Sequence, residues 1–461
     1  MEKRYSRTLQ GAKIKIAIAI CIIALGLLAY RAFESYRSMT ASNEVVSELI
    51  DQARAVPRPA SDRLIYSLQQ RLRTKPDDGQ SLAYLGNAYL QKVRETGDPS
   101  YYGKAAQVFK EAIDNDAQNA EALTGMGALC LARHEFHDAL KWGNRAAEVN
   151  PYKAAAFGVI SDAQIELGQY DEAVDTIQKM VNLRPDLSSY SRVSYIRELN
   201  GDVQGAIEAM KLAVTAGGPA LENTNWCRVQ LGFLYFNSGL LDAAEIEFQK
   251  TLAITPDYAP ALFGIARAWA SQGKPDEAIA ILQNVVATMP LAEYVIELGD
   301  LYEVSGDTVQ AAQQYDLAKA LHELQQNNGV QTDAELALFL TDHDLDLQNA
   351  LKRARAAIKQ RPSIYAADVL AWTLYKNGEY KEAAQFSEKA LRLNTKNALI
   401  YFHAGMIYTR LGETVKAQEF LRTALDINPY FSIRHSTTAR KILDGLKASI
   451  AADRITMQEA N

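Results

Sequence analysis

The sequence predicts an all-α solenoid of paired helices behind a single membrane-spanning helix. Three observations carry that reading. Residues 225–256 (NWCRVQLGFLYFNSGLLDAAEIEFQKTLAITP) split into two amphipathic halves: Leu231-Gly232 and Tyr235, a turn at Gly239, then Ala244, Phe248 and Leu252, closed by Pro256. The small residue of the second half recurs as Ala105, Ala139, Ala173, Ala206, Ala244, Ala278, Ala311, Ala350, Ala383 and Ala417, mostly at intervals of 33 or 34. Ahead of them runs an unbroken apolar stretch from Ile16 to Tyr30. Helical periodicity punctuated at a fixed repeat length is the mark of stacked helix pairs.

The N-terminal stretch comes first in the chain. With Ile14 and Ala32-Phe33 on its flanks it makes roughly 20 residues, about 30 Å of helix, enough to span a bilayer. Lys3, Arg4, Arg7, Lys13 and Lys15 precede it, which keeps the N-terminus cytoplasmic and sends the rest across. Lys15 and Arg31 sit where long basic side chains reach the interface. Residues 26–32 (GLLAYRA) offer no good A-x-A cleavage site, and Ile20 is wrong before a lipidated Cys21. Residues 1–37 therefore read as a cytoplasmic end plus an uncleaved signal anchor at about 14–33, in a single-pass protein whose repeats are extracytoplasmic. The alternative is a cleaved signal peptide and a secreted or periplasmic array.

Residues 38–60 are polar, with Pro57 and Pro59 near their end, and read as a stalk. Residues 61–76 carry Leu64, Leu68, Leu72 and a closing Pro76, the pattern of a second helix alone. This half-repeat and ten full repeats make an array over 61–430. Gly168, Gly201, Gly239, Gly273, Gly306, Gly378 and Gly412 fall at the turns inside the pairs, where a glycine relieves the backbone. Pro151, Pro185, Pro256, Pro290, Pro362 and Pro429 end second helices, which proline cannot continue. Three insertions interrupt the period: RETGDPSYY in the first repeat, AGGPALENTN before the fifth and NNGVQTD before the eighth. Such insertions map to loops on one face, or lengthen a helix. Residues 431–461 supply a last helix, with Ile442, Leu443 and Leu446 turned to the array, and a tail.

Composition excludes several functions. The net charge of −6 argues against a nucleic-acid partner, and 48% apolar with 23% charged residues fits neither a disordered chain nor a wholly embedded one. Cys21, Cys130 and Cys227 are too scattered for a disulfide framework or zinc site. Gly125-Met126-Gly127 lacks the strand and third glycine of a nucleotide loop, and reads as helix contact. His134 and His137 are three apart rather than four, so they do not make a zincin pair. Asp342, Asp344 and Asp346 alternate like a calcium loop, but Leu347 and Arg353 stand where glycine and glutamate are needed. No cofactor, metal site or catalytic set is expected.

From about Ser61 to Ser449 the chain resembles the tetratricopeptide repeat family on the residues quoted above. RETGDPSYY and RPDLSSYSRVSYIRELNGD are similar to stretches of membrane-anchored bacterial repeat proteins of undefined role. The resemblance implies a right-handed superhelix whose concave groove, lined by first helices, holds a protein or peptide, and it does not imply catalysis. The family's groove positions give Tyr195, Trp226, Val229, Phe233, Phe236, Phe263 and Arg267, then Glu293, Glu297, Asp300 and Glu303, then Tyr365, Asp368, Trp372, Tyr375 and Phe402. The groove is thus expected to be aromatic and acidic, suited to a segment basic at one end and apolar at the other. The clamp for C-terminal carboxylates is missing, since Ala83 stands near Asn87 where a lysine belongs. The expected function is a membrane-tethered scaffold for protein–protein interaction. The rivals are an accessory factor for an envelope, secretion or metalloprotein complex, and an enzyme with an unrecognised site.

Overall fold

Helix pairs in unbroken succession make up the computed structural model, which describes residues 60–218 and 221–459. A lone helix, α1 (Ala60–Thr74), precedes α2 (Gly79–Thr96) and α3 (Ser100–Asn115), α4 (Ala120–Ala132) and α5 (Phe136–Val149), α6 (Ala154–Glu166) and α7 (Tyr170–Leu183), and α8 (Leu187–Leu199) and α9 (Val203–Ala216). Then come α10 (Glu222–Asn237) and α11 (Leu241–Leu252), α12 (Ala259–Ser271) and α13 (Pro275–Thr288), and α14 (Ala292–Val304) and α15 (Thr308–Asn327). The last pairs are α16 (Asp333–Asp342) and α17 (Leu347–Gln360), α18 (Ile364–Lys376) and α19 (Tyr380–Ala390), and α20 (Ala398–Leu411) and α21 (Thr414–Ile427), followed by α22 (Ser436–Glu459). Among the described residues no helix is long and apolar enough to cross a membrane. The span expected at about 14–33 lies outside the described residues, as does the stalk expected at 38–60 except for Ala60, which begins α1.

Local chemistry sets the helix ends. Asp78, Asn119, Asp202, Asp307 and Asp346 each accept a backbone N–H three residues on, and Asp186 with Ser189 forms a capping box. Close packing then follows from residue size. The Phe248 ring lies between Gly232 and Gly264, where an added Cβ would fall 2.4 and 2.5 Å from it. Phe109 lies likewise between Gly86 and Gly125, so Gly125-Met126-Gly127 is indeed a helix contact, with Gly127 against Val159.

The sequence does not announce the next feature. The solenoid winds so tightly that its second turn rests on its first, along a seam that joins residues 192–197 positions apart. His134 Nδ1 lies 2.8 Å from Gln331 O, and Gln331 N–H donates to Arg133 O at 2.9 Å. Ile364 N–H donates to Tyr170 Oη at 2.9 Å. Thr395 Oγ1 donates to Leu199 O, and Asn428 Nδ2 to Phe236 O at 2.9 Å. Apolar packing continues across the same line, because Ile364 shares a core with Ile165, Ile177, Ile196 and Leu199.

The turn glycines record which side of the seam they are on. Gly168, Gly201, Gly273, Gly306, Gly378 and Gly412 all have φ between 72° and 89°. A Cβ on Gly168 or Gly201 would lie 2.6 Å from the carbonyl of Pro362 or Asn394, whereas the other four have nothing within 4 Å. In the second repeat His134 occupies the turn with φ 60°, a conformation costly for a side-chain-bearing residue. Its seam contact to Gln331 and its stacking on Phe136, 5.6 Å between centroids, hold it there.

Candidate functional site

Because the turns touch, the concave face becomes an internal lumen. Two adjoining compartments of about 670 and 870 Å³ share Arg94, Glu222, Trp226 and Phe233 on their walls. First helices supply most of the lining: Arg192 and Tyr195 from α8, Trp226 and Phe233 from α10, Phe263 and Arg267 from α12, Glu293 and Asp300 from α14. The side-chain direction follows from the repeat, which turns the same first-helix positions inward each time.

The aromatic wall is continuous. Phe233 lies 6.2 Å from Phe263, and Phe263 lies 4.6 Å from Tyr294. Trp226 remains 41% exposed, facing the shared part of the lumen. Arg267 stacks 4.6 Å over Phe236 and lies 3.7 Å from Glu297, so one guanidinium serves both a ring and a carboxylate.

Most lumen charges are paired. Arg192 grips Asp162 through two bonds of 2.9 and 2.6 Å, and Arg361 lies 3.0 Å from Glu335 and 3.9 Å from Glu166. Glu198 is different, since among the described residues no cation stands against it and burial alone pushes its carboxyl up to about 7. Burial also raises Glu293 and Glu297, with Arg267 opposing the shift in both. Glu293 is solvent-exposed on the lumen wall.

The sequence-expected groove residues fall into three groups. Tyr195, Trp226, Phe233, Phe263, Glu293 and Asp300 line the lumen. Phe236 is 2% exposed, beneath Arg267. Trp372, Tyr375 and Phe402 are buried as well, and do not face an open groove. They are covered from within: Trp372 stacks on His403 (4.3 Å) and Tyr375 (4.8 Å), while Phe431 and His435 pack 5.5 and 4.9 Å from Phe402.

The acidic stripe of α14 is also engaged. Arg434 reaches from the connection before α22 and ion-pairs with Glu303 and with Asp300 at 3.3 Å, and it donates to Asp342 O at 3.1 Å. Tyr315 Oη lies 2.8 and 2.7 Å from Asp300 and Glu303 and has one proton to share between them, and His343 Nε2 lies 2.7 Å from Asp300. Burial alone would raise Glu303, but the Tyr315 hydroxyl and Arg434 outweigh it and hold the carboxyl low. Asp300, Glu303 and His343 have the ligand types for a cation, and the Arg434 guanidinium stands in that place. The three alternating aspartates diverge: Asp342 accepts from Trp372 Nε1 at 2.7 Å, Asp344 pairs with Lys376 at 2.7 Å, and Asp346 caps α17.

Sequence reasoning missed Arg434, His435 and Phe431, and also His343 and His403. One signal was present. The connection from Pro429 to Ser436 is longer than the usual link between repeats, and it carries two aromatic and two basic residues.

Fold and lumen together define an α-solenoid interaction protein built from helix-turn-helix repeats. Models of the tetratricopeptide repeat match residues 154–187, 235–298 and 374–430, so those stretches of the chain are tetratricopeptide repeats. Proteins of this family generally mediate protein–protein interactions or complex assembly. Tetratricopeptide repeat protein 1 of Schizosaccharomyces pombe is 27% identical over 146 residues, 30% of this chain and 14% of that protein. Cellulose synthase 1 operon protein C of Komagataeibacter xylinus is 23% identical over 288 residues, 61% of this chain and 19% of that protein. The chain thus spans only about a seventh to a fifth of these relatives. Among solved structures, the human IFIT1 dimer with PPP-AAAA is similar at 17% identity and a TM-score of 0.45, covering 68% of this chain and 73% of that one. Yeast Tom70 is similar at 13% identity and a TM-score of 0.35, covering 83% of this chain and 99% of that one.

Proposed function

We propose that this chain is a membrane-tethered scaffold that holds a segment of a partner protein in its lumen. The observation that carries the reading is Trp226, a large aromatic left 41% exposed on the wall shared by two aromatic and acidic compartments of the concave face. Buried aromatic anchors supply most of the energy of such interfaces, and carboxylates supply orientation and association rate. The partner segment, extended or helical, sets apolar side chains against Trp226, Phe233 and Phe263 and basic ones toward Glu293 and Glu198.

The tether rests on the sequence, with five basic residues ahead of the apolar run. It places the array on the far side of the membrane from the N-terminus. Purification of the full chain from membranes in mild detergent tests both parts. A partner is expected to co-purify, to be lost more readily from Glu293→Lys, and to be protected from protease by sealed inside-out vesicles along with the repeats. Extraction of the chain by carbonate would overturn the tether, and a partner retained equally by Glu293→Lys at every salt concentration would overturn the lumen.

A further inference from the structure

The concave face of the last repeats is occupied by the chain itself. Residues 431–435 (FSIRH) leave α21, lay Phe431 and His435 on Phe402, and send Arg434 across to Asp300 and Glu303 on α14. The connection therefore bridges from the tenth repeat to the seventh. What it brings is an aromatic side chain and, three residues on, an arginine.

The receiving surface is built for that arginine. Its guanidinium meets two carboxylates, the Tyr315 hydroxyl at 3.2 Å and the Asp342 carbonyl at 3.1 Å. Tyr315 and His343 hold Asp300 in place from the other side. A planar, multi-donor cation matches this arrangement, and the point charge of a lysine would satisfy only part of it. Glu303 is still about two-fifths exposed at its side chain, so the pair can be reached from solvent.

We infer that Phe431–His435 is a built-in competitor: the surface formed by Asp300, Glu303, Tyr315, Asp342 and Phe402 docks a partner segment bearing an aromatic residue followed three positions later by arginine, and the chain's own segment holds that surface until displaced. The inference rests on the proposed use of the concave face for partner binding, and it adds the partner's chemistry and a threshold for binding. A tethered competitor enjoys a high effective concentration. The partner's apparent affinity is then reduced by the fraction of time the surface is free.

The test uses the full-length protein in detergent and a fluorescein-labelled peptide of residues 429–436 (PYFSIRHS). Anisotropy titrations should show the Arg434→Ala protein binding the peptide about tenfold tighter than wild type, the gain expected if the surface is free about a tenth of the time. A peptide carrying R434Q should lose that gain. An Arg434→Ala protein that melts like wild type and binds no tighter overturns the inference. Should Arg434→Ala fail to fold, hydrogen exchange on the wild type decides. Excess peptide should speed exchange at amides 430–436, and unchanged exchange at millimolar peptide overturns the inference equally. The two readings fail separately. Loss of partner from Glu293→Lys, with no gain for Arg434→Ala, leaves the lumen standing and removes the competitor.

Discussion

Tyr170 Oη accepts a hydrogen bond from the backbone N–H of Ile364, 2.9 Å away and 194 residues later in the chain. Ile364 is the first residue of α18, and its N–H is one of the donors a helix cannot satisfy internally. A side chain from one superhelical turn thus caps a helix of the next. Tyr170→Phe keeps the ring against Arg392 (4.9 Å) and removes only the acceptor. The expected cost is about 1–3 kcal/mol, the penalty for leaving a buried donor unpaired. Urea denaturation measures it, and hydrogen exchange should report faster opening at Ile364 than at the distant Ala278.

Gly168 and Gly378 offer a matched pair. Both sit at the same turn of their repeats, with φ 72° and 83°. Alanine at either site incurs the left-handed penalty of roughly 1–2 kcal/mol. Only at Gly168 would the new methyl strike the neighbouring turn, at the Pro362 carbonyl. Gly168→Ala should therefore be less stable than Gly378→Ala by about a further 1–3 kcal/mol. Equal melting temperatures for the two variants would show that the turns do not touch in solution.

How much of this was readable beforehand follows from which contacts are local. Ala244 and Pro256 act within their own stretch of repeat, so their spacing betrays the pair wherever it recurs. The seam depends on the small rotation added by each repeat, and no residue pattern encodes that sum. Its contacts also hide in plain types: Tyr170 meets a backbone N–H, and Asn428 and Thr395 meet backbone carbonyls. The insertions were visible, and two have clear places in the fold. NNGVQTD lengthens α15 and brings Gln331 to Arg133, and RETGDPSYY sets Gly97 against Leu291. Trp372 and Phe402 were expected to face an open groove, and they are buried instead. That Phe431 and His435 cover them was not legible, because the covering segment lies outside the repeat period.

Glu198 ties the lumen to pH. Its carboxyl is raised from 4.5 to about 7 by burial, so the folded chain binds more protons than the unfolded one between those values. Stability then falls as pH rises through this window, and the loss is complete above it. Glu198→Gln removes the cost. The variant should match wild type near pH 4.5 and exceed it by about 1–3 kcal/mol at pH 8. Denaturation at the two pH values checks the sign, and a gain confined to acid would contradict it. A bound basic partner should erase the difference, since a cation beside Glu198 stabilises its charged form.

Trp226 and Phe236 lie on the same helix, and the structure separates their roles. Phe236 is 2% exposed, packed under Arg267, with its carbonyl accepting from Asn428 across the seam. Phe236→Ala should cost about 3–5 kcal/mol by leaving a cavity, and any loss of partner would follow from damage to the array. Trp226 has little packing to lose, being 41% exposed. Trp226→Ala should melt close to wild type while shortening the residence time of a co-purified partner by tenfold or more, about 1.4 kcal/mol or above in binding. The on-rate should change little, because no charge is removed. Surface-bound full-length protein and purified partner give both rates. A Trp226→Ala protein that holds its partner as long as wild type would place the binding surface outside the lumen.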